Sequence, residues 1–245
     1  MELTVLGYWA PYPRAGEACS GYLVRSEGAR VLLDCGHAVF SILQKYQDFR
    51  ELDAVIISHF HPDHYVDLYA LRHAIRGAMF QGRRKHPLRL LIPTEPAPLF
   101  DYWSDTQEFC TEAIAGEIVV GDLRISFSPT VHSMPGYSMV VEDSRGRRLV
   151  YTGDTDYIEE RLSLAEGAEL LVAEASIKDQ DREYARKAQH LTGREAGRWA
   201  AVCGVQKLLV THLWPEYEIQ AIVDEVRQEY SGEMYLAQEG LTITV

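Results

Sequence analysis

Long hydrophobic runs are missing from this 245-residue chain. None approaches the ~20 apolar residues that a bilayer-crossing helix requires, so no membrane span is expected. The start, Met1-Glu2-Leu3-Thr4, lacks the basic residues and apolar stretch of a secretory signal, which makes the cytoplasm the expected compartment. Cysteine is scarce as well. Cys19, Cys35, Cys110 and Cys203 are scattered with no C-x-x-C pair, which argues against a disulfide framework or a cysteine zinc knuckle and leaves most of them as small buried residues. Basic residues are outnumbered, 24 against 36 acidic ones, and the formal net charge of −12 disfavours an extended nucleic-acid surface, which neutralises phosphates with Lys and Arg. The one basic run, Arg83-Arg84-Lys85-His86, reads either as a solvated loop or as a patch that receives an anionic substrate. Low-complexity segments, long linkers and repeats are also absent, so residues 1–245 are expected to form one domain.

What is present is a succession of short β-type runs punctuated by Gly, Pro and charge: 3–6, 21–24, 30–33, 54–57, 88–92, 118–120, 124–127, 138–141, 149–151, 170–173, 207–210 and 234–236. Helical periodicity appears over Tyr65 to Phe80, and again from Pro215 to Tyr230, where Ile219, Ile222, Val223 and Val226 share a stripe. Thr192-Gly-Arg-Glu195 fits a capping box for a helix running to Cys203, with Gly204 placed as its C-terminal cap. Strands come first and βα units later, which predicts sheets packed on each other and covered outside by helices.

The chemistry concentrates where the strands end. His59-Phe60-His61-Pro62-Asp63-His64 follows the apolar run Ala54-Val-Ile-Ile57, and such a burst of imidazole and carboxylate has no packing role. In an extended segment His59 and His61 point the same way, while Asp63 and His64 can turn to a second point as a helix begins. Neutral imidazole and carboxylate are ligands of zinc and similar cations. His132, Asp154 and His212 each sit just past a β-like run, in the same placement. Singly each reads as a polar loop residue or a turn; together with the first cluster they predict a metal centre. Seven ligands exceed what one tetrahedral zinc takes.

These residues resemble the metallo-β-lactamase superfamily, and more closely its ribonuclease Z and phosphodiesterase branch. The resemblance runs from Leu6-Gly7 and Asp34-Cys-Gly36 through Ser58-His59-Phe-His-Pro-Asp-His64, Thr130-Val-His132, Tyr151-Thr-Gly-Asp-Thr155 and Thr211-His-Leu-Trp-Pro215. It implies an α+β fold, a four-layer αββα sandwich with the metals at one edge. It also implies two divalent ions: zinc as first choice, manganese or iron as alternatives. By that analogy His59, His61 and His132 hold one ion, Asp63, His64 and His212 the other, and Asp154 bridges. Glu174 and His190 resemble the Glu and His that ribonuclease Z-like enzymes pair beside the scissile phosphate; an ion pair and a helix neighbour are their plain alternatives.

A carboxylate hydrogen-bonded to an imidazole orients it and favours its cationic form, which suits stabilising an oxyanion or protonating a leaving alkoxide. The expected reaction is therefore phosphodiester hydrolysis by water activated between the ions, with Asp63, His190 and Glu174 as catalytic residues. Asp34 is expected either to support the ligands or to serve as a turn residue. Only 21 residues separate His132 from Asp154, too few for the tRNA-gripping arm of many ribonuclease Z enzymes. The expected partner is thus a small phosphodiester, a cyclic nucleotide first, with a homodimer expected by analogy alone. A ribonuclease Z-type RNA endonuclease, a lactone or thioester hydrolase, and a non-catalytic zinc or di-iron domain are the alternatives.

Overall fold

A computed structural model describes residues 1–245. Fourteen strands form two seven-stranded mixed sheets. The first sheet holds β1 (Glu2–Gly7), β2 (Gly21–Arg25), β3 (Arg30–Leu33), β4 (Ala54–Ile56), β5 (Leu88–Ile92) and β6 (Phe109–Ala113), with β14 (Thr242–Thr244) outside β1. The second runs β7 (Glu117–Val120), β8 (Leu123–Pro129), β9 (Tyr137–Glu142), β10 (Arg148–Tyr151), β11 (Leu170–Glu174), β12 (Lys207–Thr211) and β13 (Glu233–Leu236). The helices are α1 (Val39–Tyr46), α2 (Pro62–Tyr65), α3 (Leu68–Phe80), α4 (Ala97–Ser104), α5 (Arg182–Ala188), α6 (Gly193–Val202) and α7 (Ile219–Glu229).

Side-chain alternation builds the layers. On β3, Val31 and Leu33 join the core between the sheets, whereas Leu32 faces the opposite way, into a second core shared with Leu43 of α1 and Leu71 and Ile75 of α3. On the other flank, Trp199 of α6 and Ile222 and Val226 of α7 belong to the core of the second sheet. The result is the αββα sandwich. Strands β3, β4 and β5 are mutually parallel, as are β10, β11 and β12, and β8 and β10 both run antiparallel to β9. The seven predicted ligands therefore all lie past the carboxyl ends of strands, and they gather at one edge of the sandwich.

Three sequence expectations need correction. Tyr65 to Phe80 is not one helix: α2 closes after one turn at Tyr65, and α3 starts at Leu68. The helix predicted from Pro215 begins only at Ile219. The patch reading of Arg83 to His86 fails, because this segment enters the amino end of β5, which is parallel to β4, and so lies at the edge opposite to His59. Arg84 there has a structural task, donating from Nη1 to the carbonyls of Arg50 (2.6 Å) and Leu52 (3.0 Å).

Candidate metal centre

The first sheet delivers four of the seven predicted ligands. Beyond β4 the chain is extended through His59 and His61, and Pro62 starts the single turn of α2, which swings Asp63 and His64 to another side. Gly36 permits the close packing behind them, since a Cβ there would stand 1.9 Å from the Asp63 carbonyl oxygen. The second sheet brings His132 past β8, Asp154 past β10 and His212 past β12. Two sets of side chains converge: His59, His61, His132 and Asp154 in one, Asp63, His64 and His212 in the other.

Hydrogen bonds on the rear of each ring fix which nitrogen faces inward. Ser58 Oγ donates to Asp34 Oδ2 (2.8 Å) and so accepts from His59 Nδ1 at 3.1 Å. His64 Nδ1 donates to Asp34 Oδ2 at 2.8 Å, and His132 Nδ1 to the carbonyl of Gln189 at 3.0 Å. Ser176 Oγ donates to Glu174 Oε2 (2.7 Å) and accepts from His212 Nδ1 (2.6 Å). With protons on Nδ1, four Nε2 lone pairs are left pointing at the centre. His59 Nε2 and His132 Nε2 each stand 3.0 Å from His61 Nδ1, and His64 Nε2 is 3.1 Å from His212 Nε2. With neutral rings, these Nε2 lone pairs are set to converge on a cation.

The carboxylates make the same demand. Asp154 Oδ2 lies between the two sets, 3.5 Å from His59 Nε2, 3.3 Å from His64 Nε2 and 3.2 Å from His212 Nε2. Its Oδ1 is buried with no hydrogen-bond partner, a costly state for a carboxylate oxygen. Burial works against charge on His64 and His212, yet Asp154 and Asp63 outweigh it: His64 is held well above the usual imidazole range and His212 is pushed up to about 10. Burial keeps His59 and His132 neutral and, with the neighbouring rings, depresses His61 to about 4. Buried acids that seek positive charge, beside rings held neutral, fit divalent cations.

His190 stands at the rim. Its Nδ1 contacts both Glu174 oxygens, at 3.0 and 3.2 Å, and its ring stacks on His212 at a centroid distance of 5.5 Å. Burial favours its neutral form, but the charge and hydrogen bond of Glu174 raise its pKa. Glu174 Oε1 also accepts from the Thr155 backbone N–H at 2.7 Å, which fixes the carboxylate. Asp34, at φ 59°, takes the supporting role, accepting from Ser58, His64 and the Tyr151 hydroxyl (2.7 Å). Gln189 and His212 share its left-handed backbone, at φ 58° and 56°, a strained state for residues other than glycine. Sequence reasoning passed over Ser58, Ser176 and the Gln189 carbonyl, although both serines lie within two residues of named site residues.

With this geometry in hand, the family model described as a beta-lactamase superfamily domain matches residues 29–213. The chain belongs to the metallo-β-lactamase superfamily. A probable metallo-hydrolase of Bacillus subtilis, YhfI, is 33% identical, with 98% of each chain covered. Its crystal structure superposes with a TM-score of 0.94 at 32% identity, over 99% of this chain and 98% of that one. Ribonuclease Z of Myxococcus xanthus is 26% identical, covering 99% of this chain and 97% of that enzyme. A diphosphatase of the PhnP family shares the fold, with a TM-score of 0.74 at 17% identity, over 100% of this chain and 97% of the other. This superfamily member is thus a metallo-hydrolase, and none of its helices is long and apolar enough to cross a membrane.

Proposed function

We propose that the protein is a dinuclear metal-dependent phosphodiesterase acting on a small phosphodiester, a cyclic nucleotide in the first instance. His59, His61 and His132 would hold one ion, Asp63, His64 and His212 the other, with Asp154 shared and zinc the first choice. Divalent ions bound there would supply Lewis-acid stabilisation of phosphoryl oxygens and a water acidic enough to react near neutral pH. The observation that carries the reading is the Glu174–His190 pair beside the converging nitrogens. The alkoxide that leaves a phosphodiester needs a proton, and an imidazolium beside the reacting group can supply it. His190, oriented through Nδ1, has Nε2 free to donate it. Asp63, buried next to His64 and His212, is placed to accept the proton of the attacking water.

Size is inferred from the path between His132 and Asp154, which holds only a short loop, β9, a tight turn at Asp143–Arg147 and β10. No arm projects from it to grip a folded RNA. We read residues 1–245 as one domain of a cytoplasmic enzyme; the branch supplies a homodimer by analogy only. The test is a comparison of rates on a chromogenic phosphodiester, 3′,5′- and 2′,3′-cyclic nucleotides, a lactone, a thioester and precursor tRNA, with metal content measured. The proposal expects cyclic nucleotide hydrolysis to lead. Efficient cleavage of precursor tRNA alone, or preference for the lactone or thioester, overturns it.

A further inference from the structure

The cleft over the centre has a volume of about 400 Å³, within the range of small-molecule sites. Its floor is formed by Asp63, Asp154, His190 and His212. Its outer wall is of a different character: Pro11, Ile177, Tyr184, Ala188 and Trp214. None of its thirteen lining residues is Lys or Arg. Any further phosphate on the substrate would find no Lys or Arg counter-charge there, so beyond the reacting group the cleft does not favour a second anionic group.

We propose that Trp214 and Tyr184 form a subsite for a planar, uncharged aromatic ring of nucleobase size, carried by the substrate whose phosphodiester meets His190; this rests on the phosphodiesterase reading. Both side chains are held from behind. The Leu213 N–H donates to the Tyr8 carbonyl (2.9 Å), the Ala10 N–H donates to the Leu213 carbonyl (3.0 Å), and Arg14 Nη2 donates to the Pro215 carbonyl (2.7 Å), so the backbone on either side of Trp214 is fixed. Tyr184 and Ala188 are four residues apart, on one face of α5. That helix ends at Gln189, whose carbonyl orients His132, and the next residue is His190. The Tyr184 side of the wall and the proton donor therefore belong to one continuous segment. The Tyr184 and Trp214 ring centroids are 6.0 Å apart with the planes tilted by 36°, already at contact distance, so a ligand ring packs against the pair and not between them. Tyr184 is 52% exposed, and a stacked ring would cover that open area.

The experiment uses the full metal-loaded chain as wild type, Trp214→Ala, Trp214→Phe and Tyr184→Ala. Kinetics are compared on 3′,5′-cyclic adenosine monophosphate and on the base-free cyclic phosphate of 1,3-propanediol. Binding of adenosine 5′-monophosphate and of ribose 5-phosphate is measured by calorimetry. Trp214→Ala should raise KM for the cyclic nucleotide and Kd for adenosine 5′-monophosphate by roughly 10-fold to 100-fold, the scale of one base–aromatic stack, with the loss confined to ring-bearing compounds and restored by Trp214→Phe. Tyr184→Ala, at a half-exposed position, should follow the same pattern more weakly, and decides the matter if Trp214→Ala does not fold. Equal losses on base-free compounds, or no loss on any, overturn the subsite. Absence of phosphodiester hydrolysis together with a selective loss of adenosine 5′-monophosphate binding overturns the phosphodiesterase reading and leaves the subsite standing.

Discussion

His190 is the residue on which the phosphodiesterase reading turns. It adjoins the candidate metal ligands, yet its Nδ1 is committed to Glu174 and its ring lies over His212 at the rim of the centre. It is therefore expected to act on the substrate and not as a ligand. Replacing it with Ala should lower turnover by ~100-fold or more, the usual scale for a positioned acid, while elemental analysis finds the metal content unchanged. Full activity in the variant contradicts the role, and loss of metal reassigns His190 to the ligand set, where its closeness to Asp154 and His212 would place it. At this scale the convergence of the candidate ligands was legible in the sequence because each is a chemically distinctive residue just past an apolar run. Their supports were not. Ser58 and Ser176 are common residues whose roles depend on contacts with Asp34 and Glu174 that only the assembled sheets create.

Among the elements, legibility followed periodicity and caps. The capping box at Thr192 and Glu195 is present on both sides, and Gly204 takes a positive φ of 60° just past the helix. By contrast α1 starts from Ala38, which has no side-chain cap, so its Val39, Ile42 and Leu43 stripe has no start signal, and α5 buries only Ala185 and has no stripe. Strands β6 and β14 lie at sheet edges, where pairing with β5 and β1 outweighs weak local preference. The packing of α3 toward the β6 edge is made through charge: Arg72 Nε donates to Glu108 Oε2 at 2.8 Å, and Arg76 pairs with the other oxygen. Burial alone would raise the Glu108 pKa, but the two guanidinium groups hold it down, to about 2. A carboxylate depressed on folding stabilises fully above its unfolded value of 4.5, and that stability fades as pH falls from there toward 2. Glu108→Gln should therefore unfold at lower denaturant concentration than wild type at pH 7, with the gap narrowing between pH 4.5 and the acid limit. A gap that stays constant over that window shows that the arginines do not act through the charge.

For the whole molecule, the proposed centre would work as a clasp. His59, His61, Asp63 and His64 extend from the first sheet and His132, Asp154 and His212 from the second, so cations shared among them join the two halves at one edge. Without cations the same residues leave the Asp154 Oδ1 oxygen unpaired and imidazole nitrogens facing each other at about 3 Å. Cations that bind the folded centre and not the unfolded chain stabilise by mass action, ~2.7 kcal/mol at a free concentration 100 times Kd. In a chain of this size that corresponds to a melting shift of roughly 5–10 °C. Calorimetry on chelated protein should show that loss, and return of about two equivalents of zinc or manganese per chain should reverse it. His61→Ala, which removes the nitrogen nearest to both His59 and His132, should bind at least one equivalent less and recover only part of the shift. No uptake of either metal by the wild-type chain, or an unchanged melting curve on full loading, would show that these seven side chains are not a metal clasp.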